Sequence, residues 1–549
     1  MTTHHADTLF LGGRVFTADA VRGFATALAV RDGRIVAVGH DDVRELAGPS
    51  TQVVDVSGGL VIPGFQDAHA HPAQGGMERR RCDLSVHSTR EDYLAAIRRY
   101  ADDHPEVEWI TGAGWTLDAF PGGSPRREDL DAIAPDRPVL LTNRDHHGAW
   151  ANSRALELAG LDSGTPDPRD GRIDRDADGA PSGMLHEGAM ALAARLIPDP
   201  SHAEQVTALL EAQTYLHSLG ITGWQDAILG QYAGHPDASE VYLDAARSGR
   251  LTARIVGALW WERTRGVEQI PELVARREHL NAGRFAATSV KIMQDGIVEN
   301  YTAGMLEPYL DAEGEATSND GLSFVDPSVL RECVPALDAA GFQVHVHAIG
   351  DRAVREALDA IAAARAANGA NDLRHHLAHI QVIHPEDIPR FRQLGVVANM
   401  QPLWAANEPQ MVDLTVPFLG PERARWQYPF GDLLRTGAIL AGGSDWPVTS
   451  PDPLEGIHVA VNRVLPQSLG SAYDEPFLPE QSLDLAAALT AYTAGSAYVN
   501  HCDDAGSIAV GQLADLAVLD RDVFAHPRSE IASARVVATY VEGVEVFAG

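Results

Sequence analysis

The sequence predicts an α/β chain: a long central run of βα units making a parallel sheet or barrel, flanked at both ends by β-rich segments of one style. Three observations predict it. Through the middle of the chain, short β-favouring runs alternate with Ala-, Leu- and Arg-rich helical stretches such as REDYLAAIRRYADDH and AVREALDAIAAARAAN, the mark of βα repeats. Eight runs stand as candidate strands, at 61–68, 221–227, 252–259, 288–294, 341–347, 374–380, 395–400 and 438–444. Residues 7–60 and 505–549 instead hold short alternating strands broken by Gly and Asp.

The first end segment reads as DTLFLGGRVFTAD, ATALAVRDGRIVAVG and TQVVDVSGGLVIPG, with RDGR a hairpin turn signal. The stretch between the first and second candidate strands is too long for one βα loop, so an inserted subdomain is expected at about residues 80–200. The tracts at 162–183 and 311–321 are rich in Asp, Gly, Ser and Pro and read as surface loops. The last segment returns to strands in GSIAVGQLADLAVLDRD and ARVVATYVEGVEVFAG.

Composition narrows the function classes. The chain has 549 residues, 45% hydrophobic and 22% charged, values of a globular protein with more than one domain. A formal charge of −33 disfavours a nucleic-acid backbone or an anionic membrane as partner, because both call for a basic surface. The opening MTTHHADTLFLGG has no basic stretch followed by an apolar one, so no signal peptide is expected. No apolar run reaches the roughly 20 residues of a membrane span. Cys82, Cys333 and Cys502 are far apart and odd in number, which suggests neither a disulfide framework nor a Cys-based zinc site. A cytoplasmic enzyme is the expectation, with homodimerisation left open.

One cation stands apart. Of 43 Lys plus Arg, Lys291 is the single lysine. It sits in TSVKIMQDG, a short run that reads as a buried strand, where an unpaired ammonium is costly. Lys differs from Arg in being able to lose its proton and react. Other strand ends carry further chemistry. VIPGFQDAHAHP brings His69 and His71, two apart on a strand and so on one face. GFQVHVHAIGD offers His345 and His347, RHHLAHIQ offers His375, His376 and His379, and AILAGGSDWPV ends with Asp445. In a (β/α)₈ barrel such strand ends converge on the face that carries active sites.

Together these motifs resemble the amidohydrolase superfamily, the branch that includes N-substituted formamide deformylase. The resemblance rests on PGFQDAHAHP, VKIMQDG, VHAIGDRAV, HLAHIQ and LAGGSDWPV, with support from LDAIAPDRPVLLTNRDHHGAWANSRAL and AYTAGSAY. It implies a (β/α)₈ TIM-type barrel over 61–500 with an inserted subdomain, and a small β-sandwich built from 1–60 and 501–549. It implies metal ligands at His69, His71, His347, His379 and Asp445, and a carboxylated Lys291 bridging two metals; Lys can form such a carbamate and Arg cannot. The cofactor implied is a divalent metal, zinc first, as one or two ions. The reaction implied is metal-assisted hydrolysis of an amide, with Asp445 as the proton carrier and His147 of RDHHGAW as a substrate-side donor, His146 beside it leaving that assignment open. His345 and His376 match no ligand position and are read as supporting or structural.

Specificity is faintly written. Trp115, Trp150, Trp404 and Trp446 lie in or near the motif segments, with Phe120 close by. Trp115, Trp150 and Trp404 are candidates for the substrate pocket, which would then favour an apolar or aromatic substituent on the scissile nitrogen. The loop DGIVENYTAGML departs from the small-residue version of the family, which marks Glu299, Asn300 and Tyr301 as candidate specificity residues. The leading expectation is a hydrolase of a linear amide, best an N-substituted formamide. N-acyl amine or cyclic-amide hydrolysis, and a catalytically retired regulatory or binding protein, are the alternatives.

Overall fold

The computed structural model describes residues 5–232, 235–470 and 473–549. Its centre is a parallel sheet of eight strands in chain order: β1 (Phe65–Ala70), β2 (Ile221–Leu229), β3 (Arg254–Trp260), β4 (Phe285–Met293), β5 (Gln343–Ala348), β6 (His376–His379), β7 (Val397–Met400) and β8 (Leu440–Gly442). The sheet curls until its first and last strands meet. Asp445 N–H, just past β8, donates to His69 O at 2.7 Å, and His71 N–H donates to Trp446 O at 2.7 Å. Asn399 on β7 donates to Ala68 O at 2.8 Å. The result is a nearly closed barrel.

Alternation explains which side chains enter it. On β4, Val290 and Ile292 join the outer apolar core, as do Val344 and Val346 on β5. Helix residues Leu337, Val354, Leu358 and Ile361 pack in the same core. The intervening positions, Ser289, Lys291, His345 and His347, are buried as well and point inward by the period of two. The interior is therefore polar and hydrogen-bonded: His376 Nε2 meets Gln225 Oε1 at 3.0 Å, and Gln225 Nε2 donates to Gln343 Oε1 at 3.0 Å.

An eight-stranded sheet joins both ends of the chain. Strand Leu60–Pro63 pairs antiparallel with Leu516–Leu519, binding residues 8–63 to 516–548. The RDGR signal corresponds to a tight hairpin, with Arg31 opposite Arg34 and positive φ at Asp32 and Gly33, as a two-residue type I′ turn requires. Between β1 and β2 lies a six-stranded sheet spanning residues 82–187.

Two expectations need correction. The run 61–68 is two strands: Gly64 separates Leu60–Pro63 of the terminal sheet from β1 of the barrel. A side chain at Gly64 would meet Thr222 Cγ2 at 2.4 Å, so only glycine passes there. The tract 162–183 is not wholly loop. Gly171–Arg175 pairs antiparallel with Pro181–Glu187; its exposed polar residues belong to an edge strand, which needs no apolar alternation. No helix among the described residues is long and apolar enough to cross a membrane.

Candidate metal centre and active site

The carboxyl ends of the barrel strands deliver the chemistry to one cavity of about 580 Å³, lined among others by His69, His71, Lys291, His347, His379 and Asp445. Asp445 is its hub. Its Oδ1 lies 3.0 Å from His69 Nε2 and 3.1 Å from His71 Nε2, and its Oδ2 lies 3.8 Å from His379 Nδ1. Ligand atoms of His69, His379 and Asp445 all fall within 4.8 Å of one another. Both Asp445 and His379 hold positive φ, +58° and +74°, a strained backbone of the kind that gathers at functional sites.

The rings are oriented from behind. Asp295 Oδ1 accepts from His347 Nδ1 at 3.1 Å, leaving Nε2 free, and Asp295 is itself fixed by the backbone N–H groups of Ile349, Gly350 and Gly304 at 2.8–3.0 Å. His345 Nε2 lies 2.8 Å from His69 Nδ1, so the Nε2 of His69 faces Asp445. Such outer partners set the tautomer of a ligating imidazole.

The electrostatics suit a cation. Burial pushes the His69 ring down to about 3 and the His347 and His379 rings well below their usual range, so all three are neutral with lone pairs to offer. Burial resists charge on Asp445, but its contacts with the His69 and His71 rings hold it well below the usual carboxylate range. Burial brings the Lys291 amine down to about 7, against the pull of Asp445. The buried His379 Nδ1 has no hydrogen-bond partner, an expensive vacancy for a polar atom unless something binds there. This donor set of imidazoles, a carboxylate and an amine fits a divalent transition ion.

The other candidates separate. His147 lies beside the centre, its ring centroid 5.6 Å from that of His347, and it lines the cavity. Its Nδ1 donates to both oxygens of Glu187, at 2.9 and 3.0 Å. Burial would lower the His147 ring, but the Glu187 carboxylate overrides it and holds the ring up at about 9. Thr302 also donates to Glu187, at 2.8 Å, and Asn300 donates to His147 O at 3.1 Å, so the loop after β4 grips this pair. His146, with φ +64°, turns away toward Gln74 and Glu78. Trp404 stacks on His379, centroids 5.3 Å apart and rings 16° from parallel, and lines the cavity.

Four expected pocket residues are elsewhere. Trp115 and Trp150 are fully buried in the core of the 82–187 sheet with Phe120, and their indole N–H groups donate to Leu141 O and Arg126 O. They pack there with Tyr93, Phe120, Leu141 and Met184 as part of that sheet's apolar core. Glu299 accepts from Thr415 at 2.7 Å, and Tyr301 packs edge-on against Tyr309 and Phe418; neither lines the cavity. Trp446 packs against Tyr215 over Gly75, where a Cβ would come within 2.8 Å of its ring. Sequence reasoning gave no role to Glu187, a lone acid without a motif, or to Asp295, which stands inside VKIMQDG four residues after Lys291, and it missed the cavity residues Tyr232, His235, Met190 and Met293.

This geometry meets the known proteins as follows. A family model described as the amidohydrolase family matches residues 52–547. The chain belongs to the amidohydrolase family. This amidohydrolase is 33% identical to Protein LONG AFTER FAR-RED 3 of Arabidopsis thaliana, over 99% of this chain and 92% of the other. It is 27% identical to N-substituted formamide deformylase of Arthrobacter pascens, over 99% and 98%. In fold it is similar to an uncharacterized metal-dependent hydrolase from Pyrococcus horikoshii OT3, with a TM-score of 0.72, 25% identity, and 95% and 99% of the two chains covered.

Proposed function

We propose that this amidohydrolase is a metal-dependent hydrolase of a linear C–N amide bond, best an N-substituted formamide, giving an amine and formate. The observation that carries the reading is the approach of His69 and His71 to one oxygen of Asp445 in a cavity shared with Lys291, His347 and His379. The terminal sheet and the 82–187 sheet then correspond to the family's β-sandwich and an inserted subdomain. His69, His71, His347, His379 and Asp445 would hold one or two divalent ions, zinc by preference, with Lys291 as a bridging carbamate. Such an ion, when bound, activates water and polarises the scissile carbonyl.

The chain's own groups do the rest. Asp445, kept ionised by its histidines, takes a proton from the attacking water and passes it to the departing nitrogen. His147, kept protonated by Glu187, donates its free N–H to the carbonyl oxygen as negative charge develops there; one such donor is worth about 10²–10³-fold in rate. Trp404, Met190, Met293, Tyr232 and Ile228 line the cavity and offer apolar area to the nitrogen substituent.

The test is a panel on metal-loaded protein: N-benzylformamide, N-benzylacetamide and N-acyl amino acids, followed by amine release. N-benzylformamide is expected to be cleaved at least about tenfold faster in kcat/KM, because the added methyl must be excluded by contact worth ~1–3 kcal/mol. Equal cleavage of the acetamide moves the assignment to N-acyl amines. No cleavage of any amide removes the hydrolase reading.

Glu187 gives a second check. Glu187→Gln keeps the shape but removes the charge that holds His147 protonated, and is expected to cost about 10–100-fold in kcat, the usual loss for an orienting partner. The double variant with His147→Ala should be no slower than His147→Ala alone, since the two act as one unit. Additive losses would separate them.

A further inference from the structure

A second group of ligating side chains stands at the outer side of the cavity, unused by the chemistry above. Glu78 ends the helix Pro72–Glu78 that follows β1, His146 lies in the turn after strand Val139–Asn143, and His235 lies in the loop after β2. Ligand atoms of the three all fall within 4.8 Å of one another. Glu78 Oε2 and His146 Nε2 are 3.7 Å apart, too far for a hydrogen bond yet close to the spacing of two ligands that each reach one ion at roughly 2.0–2.2 Å. The side chains of Glu78 and His146 are only 13% and 14% exposed. Both histidines line the cavity that holds Lys291 and Asp445.

Without a cation, burial favours the uncharged form of all three side chains. Among the described residues Glu78 makes no ion pair with an Arg; Arg81 acts on it only from a distance. Its hydrogen-bond partner is Gln74, whose Nε2 donates to Oε1 at 2.8 Å. Burial leaves both rings unprotonated, His235 at about 3 and His146 well below its usual range, so neither supplies positive charge. Burial also pushes the Glu78 carboxyl up to about 8, so without an ion it keeps its proton, and a divalent cation bound there would displace that proton and pair with the anion.

We propose that Glu78, His146 and His235 form a second divalent-cation site, distinct from the cluster around Asp445, with its remaining coordination places open to the same cavity. Two imidazoles and one carboxylate suit zinc, iron or manganese. Gln74 is the switch of this site, because its Nε2 also lies 2.8 Å from His146 Nδ1. Ligation through His146 Nε2 keeps the ring proton on Nδ1. The Gln74 amide then turns to accept that proton through its oxygen, and Glu78 Oε1 is released toward the ion. The three ligands come from three separate segments, so the ion would also tie the entrance loops to the helix that follows β1.

Cobalt(II) is the probe. Metal-stripped full-length protein is dialysed against it, and bound cobalt is counted by elemental analysis and followed by its visible spectrum. Wild type is expected to hold one more cobalt per chain than Glu78→Gln, and one more than His146→Asn with His235→Asn; Asn accepts the positive φ at position 146. The His69→Ala and His71→Ala double variant is expected to keep a cobalt that disappears when Glu78→Gln is added. Equal cobalt in wild type and Glu78→Gln, both folded by circular dichroism, overturns the proposal. That comparison decides the matter alone if the His69 and His71 variant fails to fold.

Discussion

Asp445→Asn lowers turnover by about 10²–10⁴-fold, the contribution typical of general acid–base catalysis, while the chain still folds and keeps much of its metal affinity. The choice of Asn matters. Asp445 sits at φ +58°, where Asn is tolerated and most residues are strained, so the turn before Trp446 survives the change. The amide keeps one oxygen to face the Nε2 atoms now 3.0 and 3.1 Å from Oδ1. It cannot take up a proton at neutral pH. Asp445→Ala, by contrast, removes the acceptor and strains the backbone, and is expected to lose metal as well as rate. Steady-state kinetics with metal analysis of both variants separates the roles. If Asp445→Asn retains more than about a tenth of the wild-type rate, Asp445 is not the proton carrier.

The sequence made the barrel legible because its strands write two faces at once. Val290 and Ile292 alternate with Lys291 and Met293, and Val344 and Val346 with His345 and His347; a chemical group at an inward position is visible as a break in an apolar run. The split at Gly64 was hidden because VIPGF is apolar on both sides of the glycine, so no change of period marks the passage from one sheet to the next. The edge strand 171–175 was hidden for the opposite reason, since its residues are as polar as a loop. Trp115 and Trp150 show a further limit: an aromatic residue near a motif reads the same in one dimension whether it fills a core or lines a pocket. Glu187 meets His147 across 40 residues and Asp295 meets His347 across 52, and only folding brings these acids to the rings. The ambiguity of His146 and His147 has a local basis. Adjacent residues, the first at φ +64°, send their rings to different partners, a distinction that no spacing rule contains.

Lys291→Arg is expected to abolish metal retention and activity together, although it preserves charge and bulk. The chain uses Arg for every other basic residue of this kind, 42 of 43, so an arginine at this site would have been the ordinary choice had a fixed cation been enough. Lys291 is buried on β4, and burial brings its amine to about 7, so much of it is unprotonated near neutral pH. An unprotonated amine adds to the carbon of carbon dioxide, sheds one proton and becomes a carbamate anion; this turns a costly buried cation into an oxygen ligand for divalent ions. A guanidinium, with its pKa above about 12, cannot follow. Lys291→Ala is expected to lose activity too, but to regain part of it when a short carboxylic acid is supplied, because the acid fits the vacated space and restores an anionic oxygen. With one lysine in the chain the direct readout is clean: protein equilibrated with ¹³C-bicarbonate and metal should give a side-chain carbamate resonance that Lys291→Arg lacks. Full activity and metal content in Lys291→Arg would reduce the lysine to a substrate-binding cation and leave the histidines and Asp445 to hold the ion alone.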